Sequence, residues 1–135
     1  MRFPYRGAGL VIVCGSKVLL GTRSKSPFKG SWCIPGGSAE KGETDLETAL
    51  RETLEETGLD VGKLCPGGPL SSWKLRLPFF SWTSFIYEID AEKQTVASEF
   101  SYLGWERPCN LKKKPFRPFL HLELKKAGKV CGRVL

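Results

Sequence analysis

Residues 44–58, TDLETALRETLEETG, are the stretch that most narrows what this chain can become. Leu46, Ala49, Leu50, Thr53 and Leu54 recur at helical spacing and form one apolar stripe. Thr44 with Glu47 three residues on makes a capping box, and Gly58 is a natural residue to end the helix. The spacing predicts a helix at about 45–57. On either side the pattern is that of strands. GAGLVIVCGSKVLLGTRS reads as two strands around a Gly15–Ser16 turn, and KSPFKGSWCIPGG as a loop holding a short strand at 32–34. Beyond a turn at Gly67, Gly68 and Pro69, SSWKLRLPFFSWTSFIYEID gives one or two strands, the clearer at 80–89, and FSYLGWE another. A second helix is expected at about 117–127, with Leu120, Leu124 and Phe116 facing inward and Pro118 in its first turn. No repeat or linker divides residues 1–135, so strands mixed with two helices imply a single α/β sandwich domain.

Composition excludes several classes. The 135 residues can enclose a real core, and no apolar run approaches the roughly 20 residues of a membrane helix. Gly7–Cys14 is too short and too plainly flanked for a signal peptide. The five cysteines are odd in number, scattered and never in a CxxC pair, and His121 has no cysteine at zinc spacing. They read as reduced thiols of a cytoplasmic protein. The net charge of +7 is uneven: residues 1–109 are neutral overall, whereas residues 110–135 carry eight basic side chains against Glu123 alone. Such a segment suits a polyanion, a nucleotide or RNA, or serves only to keep the chain soluble.

On the predicted helix Glu52, Glu55 and Glu56 stand at i, i+3 and i+4, so all three leave from nearly one face. Like charges at that spacing repel. A solvated acidic face is the plain reading of an arbitrary helix of this kind; a hard divalent cation, Mg²⁺ or Mn²⁺, is the chemical one for carboxylates without His or Cys beside them. Arg51 can hold a neighbouring carboxylate through a bidentate pair.

The surroundings decide between these. Gly37, then Glu43, then Arg51-Glu52-Thr53-Leu54-Glu55-Glu56-Thr57-Gly58-Leu59 resembles the Nudix box, residues 37–59 here, the signature of the MutT-like Nudix hydrolases. The one departure is Thr53, where the family usually carries a larger aliphatic at a core-facing position. WCIPGG, with Trp32, Pro35, Gly36 and Gly37, resembles the family's entry to the box, GSKVLLGTR its second strand, and EFSYLGW its late glutamate-bearing segment. The likeness covers roughly residues 6–106.

The resemblance implies a Nudix-type α/β/α sandwich with a mixed β-sheet, and Mg²⁺-dependent hydrolysis of a pyrophosphate bond in a nucleoside diphosphate linked to X. By the same resemblance Glu52, Glu55 and Glu56, the carbonyl of Gly37, and Glu99 are the expected metal ligands. The general base is open between Glu52 and Glu99, and Glu43 with Arg51 is expected to fix the loop–helix geometry. Arg23, Trp32 and Phe28 are candidates for holding substrate, and strand aromatics such as Trp73, Phe80 and Trp82 for stacking on a base. Sequence features associated with ADP-ribose, diadenosine polyphosphate and NADH hydrolysis are absent, for instance a proline at position 74 or a tyrosine at 75–77. A (d)NTP or modified nucleotide is the default. Two readings stand beside it: a hydrolase acting on the RNA 5′ end, gripped by Lys112–Lys114 and Arg117, and a nucleotide-binding module without catalysis.

Overall fold

The computed structural model describes residues 4–111 and 114–135. Seven strands form one mixed sheet: β1 (Tyr5–Cys14), β2 (Lys17–Arg23), β3 (Trp32–Cys33), β4 (Gly36–Ser38), β5 (Ser71–Leu77), β6 (Phe80–Glu88) and β7 (Phe100–Glu106). The main path runs β3-β2-β1-β6-β5, with β4 added to β1 and β7 to β2. Among these seven strands β1 and β6 are the parallel pair, in register from Tyr5 opposite Phe80 to Val13 opposite Glu88. Helices α1 (Asp45–Thr57) and α2 (Val61–Leu64) cover one face and α3 (Leu120–Cys131) the other. Strand alternation supplies both cores. Leu10, Ile12 and Tyr87 pack with Ala49 and Val61; Val11, Val13 and Ile86 pack with Leu120 and Leu124. This is the expected α/β/α sandwich. Among the described residues no helix is long and apolar enough to cross a membrane.

α1 is the predicted helix. Thr44 accepts from the Glu47 N–H, Glu47 returns the bond to the Thr44 N–H, and Gly58 closes the helix in the left-handed conformation. Its buried face differs from the predicted stripe. Leu54 is 45% exposed, whereas Thr48, Ala49, Thr53 and Thr57 face the sheet. Thr53 is core-facing as expected, and its buried hydroxyl has no partner among the described residues.

The last helix begins and ends later than the predicted 117–127. Residues 115–117 stay extended because they pair with β3: the Trp32 N–H donates to Pro115 O and the Arg117 N–H to Trp32 O, both at 2.8 Å. Pro118 therefore lies in the preceding turn, outside the helix. Gly128 sits inside α3, where a Cβ would stand 2.8 Å from Arg133 O, and Gly132 caps the helix. The short strand β4 and helix α2 went unpredicted, and the long apolar segment divides into β5 and β6 at a turn through Phe79.

Candidate active site

One guanidinium, that of Arg51, gathers three carboxylates at the acidic face of α1. Arg51 Nε donates to Glu43 Oε2 at 2.6 Å, Nη1 to Glu52 Oε1 at 3.0 Å and to Glu55 Oε2 at 3.2 Å, and Nη2 to Ser38 O at 3.0 Å. Arg51 thus serves Glu43 and Glu55 together, and Glu52 with them. Its hydrogen bonds hold the Glu43 carboxyl down at about 2, helped by the Glu40 N–H. Glu43 also accepts from the Thr48 hydroxyl, which ties the box loop to the start of α1.

Glu56 is the opposite case. Burial raises its carboxyl to about 8 although the Gly36 N–H donates to it at 2.9 Å, and the charges of Glu52 and Glu99 push it further up. Glu52 is also raised, by burial against the opposing pull of Arg51. Glu99 reaches the cluster from another part of the chain. The loop before β7 docks on the end of α1, with Ser98 N–H on Glu56 O and Val96 N–H on Thr57 O, and Glu99 itself has φ +69°.

β4 is a thin partition at this site. A Cβ on Gly37 would meet Glu52 Cδ at 2.5 Å, and one on Gly36 would meet the Trp82 ring at 2.9 Å on the other side. The pairing Ala39 N–H to Arg6 O and Leu10 N–H to Pro35 O fixes the ladder alternation, so Ala8 and Gly37 are the residues that exchange bonds. The Gly37 carbonyl therefore points into the sheet, contrary to the expectation that it faces a metal. Gly36, whose N–H already meets Glu56, turns its carbonyl to the acidic side.

A cleft of about 960 Å³ joins the two sides. Its acidic end holds Glu52, Glu55, Glu56 and Glu99; Tyr5, Phe28, Trp73, Phe80, Trp82 and Phe119 line the rest. Such a volume lies in the range of small-molecule sites. Tyr5 stacks on Phe80 at 5.3 Å, a consequence of the parallel β1–β6 register. Among the described residues, three of the four non-glycine positions with positive φ (Phe28, Glu99 and Phe119) line this cleft, as backbone strain tends to do at functional sites.

The candidate substrate residues separate here. Arg23 and Phe28 line the cleft, Arg23 with its Nε on Pro27 O and Phe28 half exposed. Trp32 does not: it is 8% exposed and packs in the α3-side core, edge-on to Tyr102. Its own backbone pairs with residues 115–117, and Phe116 packs against the same core. Lys112 and Lys113 lie outside the described residues, and Arg117 is turned in upon Trp82 and Glu123. Tyr5, Ser38 and Phe119 are cleft residues that no local sequence signal marks.

The donor set fits a hard divalent cation in kind: oxygens only, with a buried carboxylate that Arg51 does not reach. Among the described residues no three His, Cys, Asp or Glu side chains are already gathered about one point. Glu52 and Glu55 are both turned to Arg51, whereas Glu56 lies outside its reach.

The chain spans 60% of a curated relative, the asymmetrical bis(5′-nucleosyl)-tetraphosphatase of Sus scrofa, with 30% identity over 91 residues that make up 59% of this chain. It is 49% identical over 49 residues, 36% of this chain and 29% of the other, to an ADP-ribose pyrophosphatase of Methanocaldococcus jannaschii. Among solved structures, the Nudix hydrolase RenU of M. smegmatis superposes with a TM-score of 0.77 over 98% of this chain and 89% of that one, at 21% identity, a likeness of fold. The NUDIX domain profile matches residues 4–120, with the box helix, its Arg51 hub and the acidic end of the cleft all inside the match. The chain belongs to the Nudix family.

Proposed function

We propose that this chain, acting as one domain in a reducing cytoplasmic setting, hydrolyses a pyrophosphate bond in a nucleoside diphosphate linked to X. A (d)NTP or modified nucleotide is the substrate favoured. One observation carries the reading: a single cleft has an under-compensated acidic end and an aromatic remainder, divided only by Gly36 and Gly37. That polarity matches a substrate with a polyphosphate at one end and a flat base at the other. The names of the pig and archaeal relatives share the nucleoside diphosphate element, which supports the class without selecting X.

Glu55, Glu56, Glu99 and the Gly36 carbonyl are the groups proposed to hold Mg²⁺, with Mn²⁺ as a substitute. When bound, that ion supplies charge neutralisation for the diphosphate and a more acidic water. Glu52 is assigned the general base: burial raises its proton affinity and it lines the cleft. Arg51 orients Glu52 and, through Glu43 and Ser38 O, locks the helix to the loop. Arg23 stands where it can meet a phosphate oxygen. The protein's share is then positioning and charge stabilisation of an in-line displacement on phosphorus.

The test is product analysis on a panel of NTPs, dNTPs, NDP-sugars, dinucleoside polyphosphates and triphosphorylated RNA, with Mg²⁺ or EDTA. Mg²⁺-dependent release of a nucleoside monophosphate or diphosphate product, abolished in Glu56→Gln, is expected. Tight nucleotide binding with no anhydride cleavage anywhere on the panel would mean a binding module instead.

A further inference from the structure

α3 buries a carboxylate completely. Glu123 is 0% exposed on a helix face it shares with Leu120, Leu124, Ala127 and Gly128. A charge so placed is costly unless paired and hydrogen-bonded, and an apolar residue would serve helix–sheet packing at least as well. Glu123 Oε1 accepts from Arg117 Nη2 at 2.6 Å, and Oε2 accepts from the Ser84 hydroxyl. Ser84 Oγ in turn accepts from Trp82 Nε1 at 2.7 Å, and the Arg117 guanidinium lies 5.2 Å from the centroid of that same Trp82 ring. The four side chains close a ring. Its backbone anchor is the Arg117 N–H on Trp32 O, and Nη1 is steadied by Pro118 O at 2.7 Å.

Arg117 and Trp82 both line the cleft, whereas Ser84 and Glu123 lie behind them. We infer that Arg117 reads the base of the bound nucleotide and that Glu123 positions it to do so. The inference rests on the reading of this cleft as a nucleotide site. A guanidinium has five N–H donors and no acceptor. Nε and the second hydrogens of the terminal nitrogens have no partner among the described residues. A donor-only group held over an indole, at the wall of an aromatic cleft, selects a flat ring with an all-acceptor edge. The O6 and N7 of a 6-oxopurine present that edge; adenine sets an amino donor against the donors of arginine. The preference is therefore for guanine or hypoxanthine over adenine, with Arg117 as the discriminating residue.

Binding of GMP, AMP and base-free ribose 5-phosphate is measured by calorimetry with Mg²⁺, and kcat and KM are measured on GTP and ATP. Wild type is expected to favour GMP over AMP by about tenfold or more. Arg117→Gln brings the two within about twofold while ribose 5-phosphate binds as before. Arg117→Lys keeps the charge but not the planar fork and also loses the preference. Glu123→Gln reduces it through KM with kcat held. If Arg117→Gln unfolds because Glu123 loses its partner, the R117Q/E123Q double variant, an amide in place of each charge, is measured in its place with the same expectation.

Equal loss of GMP and ribose 5-phosphate on Arg117→Gln would make Arg117 a phosphate ligand and overturn the inference. So would full preference in Arg117→Lys, an unaltered preference in Glu123→Gln, or a wild type indifferent to the base. Base preference without hydrolysis of either triphosphate leaves the inference standing and removes the proposed reaction. Hydrolysis without preference does the reverse.

Discussion

Replacing Glu56 by Gln removes a charge that the fold holds away from water while keeping an oxygen for the Gly36 N–H. The carboxyl is raised to about 8, chiefly by burial and then by Glu52 and Glu99, against about 4.5 in an unfolded chain. For an acid with a raised value, the folded state keeps a proton that the unfolded state has released. Stability therefore falls as pH climbs from about 4.5 to about 8, by at most about 1.4 kcal/mol per unit. At pH 7 the ceiling is about 3 kcal/mol, or roughly 10 °C for a domain of this size. Thermal melts in EDTA from pH 5 to 8 read it out. Wild type and Glu56→Gln should nearly coincide at pH 5 and diverge toward pH 8, with the variant the more stable there yet inactive. Mg²⁺ should raise the wild-type midpoint most at pH 8 and leave the variant unmoved. Parallel pH curves, or a variant less stable than wild type at pH 8, would refute the claim that burial of this carboxylate costs the unliganded protein stability.

The two glycines of β4 should separate fold from function. Gly37→Ala drives a methyl into Glu52 and should cut activity at least tenfold with a modest change in melting temperature; Gly36→Ala meets Ala8 O at 2.6 Å and Gly9 Cα at 2.7 Å and should destabilise more. Glu43, held at about 2 by Arg51, stabilises above its unfolded value near 4.5. The melting difference between wild type and Glu43→Gln should thus be constant above about pH 5 and shrink as pH falls toward 2. Trp32→Ala should cost about 3–5 kcal/mol of stability in denaturant titrations, as a core aromatic does. Phe28→Ala, at a half-exposed cleft residue, should leave stability nearly unchanged and raise KM several-fold.

What was legible in the sequence is what is decided locally. The capping box, the glycine cap and the acidic face of α1 lie within fifteen residues of one another, and the helix forms as read. The stripe erred at Leu54 because the helix seats threonines against the sheet, and hydropathy counts Thr48, Thr53 and Thr57 as polar. The start of α3 was displaced by a long-range event, the pairing of residues 115–117 with β3, which overrides the helical pattern from Arg117 onward. The aromatic end of the cleft was half visible. Alternation puts Phe80 and Trp82 on one face, but Tyr5 joins them only through the parallel β1–β6 register, and Phe119 only through the turn before α3. The Gly37 carbonyl was misassigned for a similar reason: which carbonyl faces the acids depends on ladder alternation with β1.

The central claim is that the acids at the end of α1 take up a divalent cation on behalf of a bound diphosphate. Mn²⁺ titration followed by electron paramagnetic resonance, with a non-hydrolysable nucleotide present, tests it most directly in wild type and Glu56→Gln. The account predicts saturable Mn²⁺ binding in wild type that weakens at least tenfold in the variant, with Mg²⁺ competing for the same site. Equal Mn²⁺ affinity in the two folded proteins would contradict it.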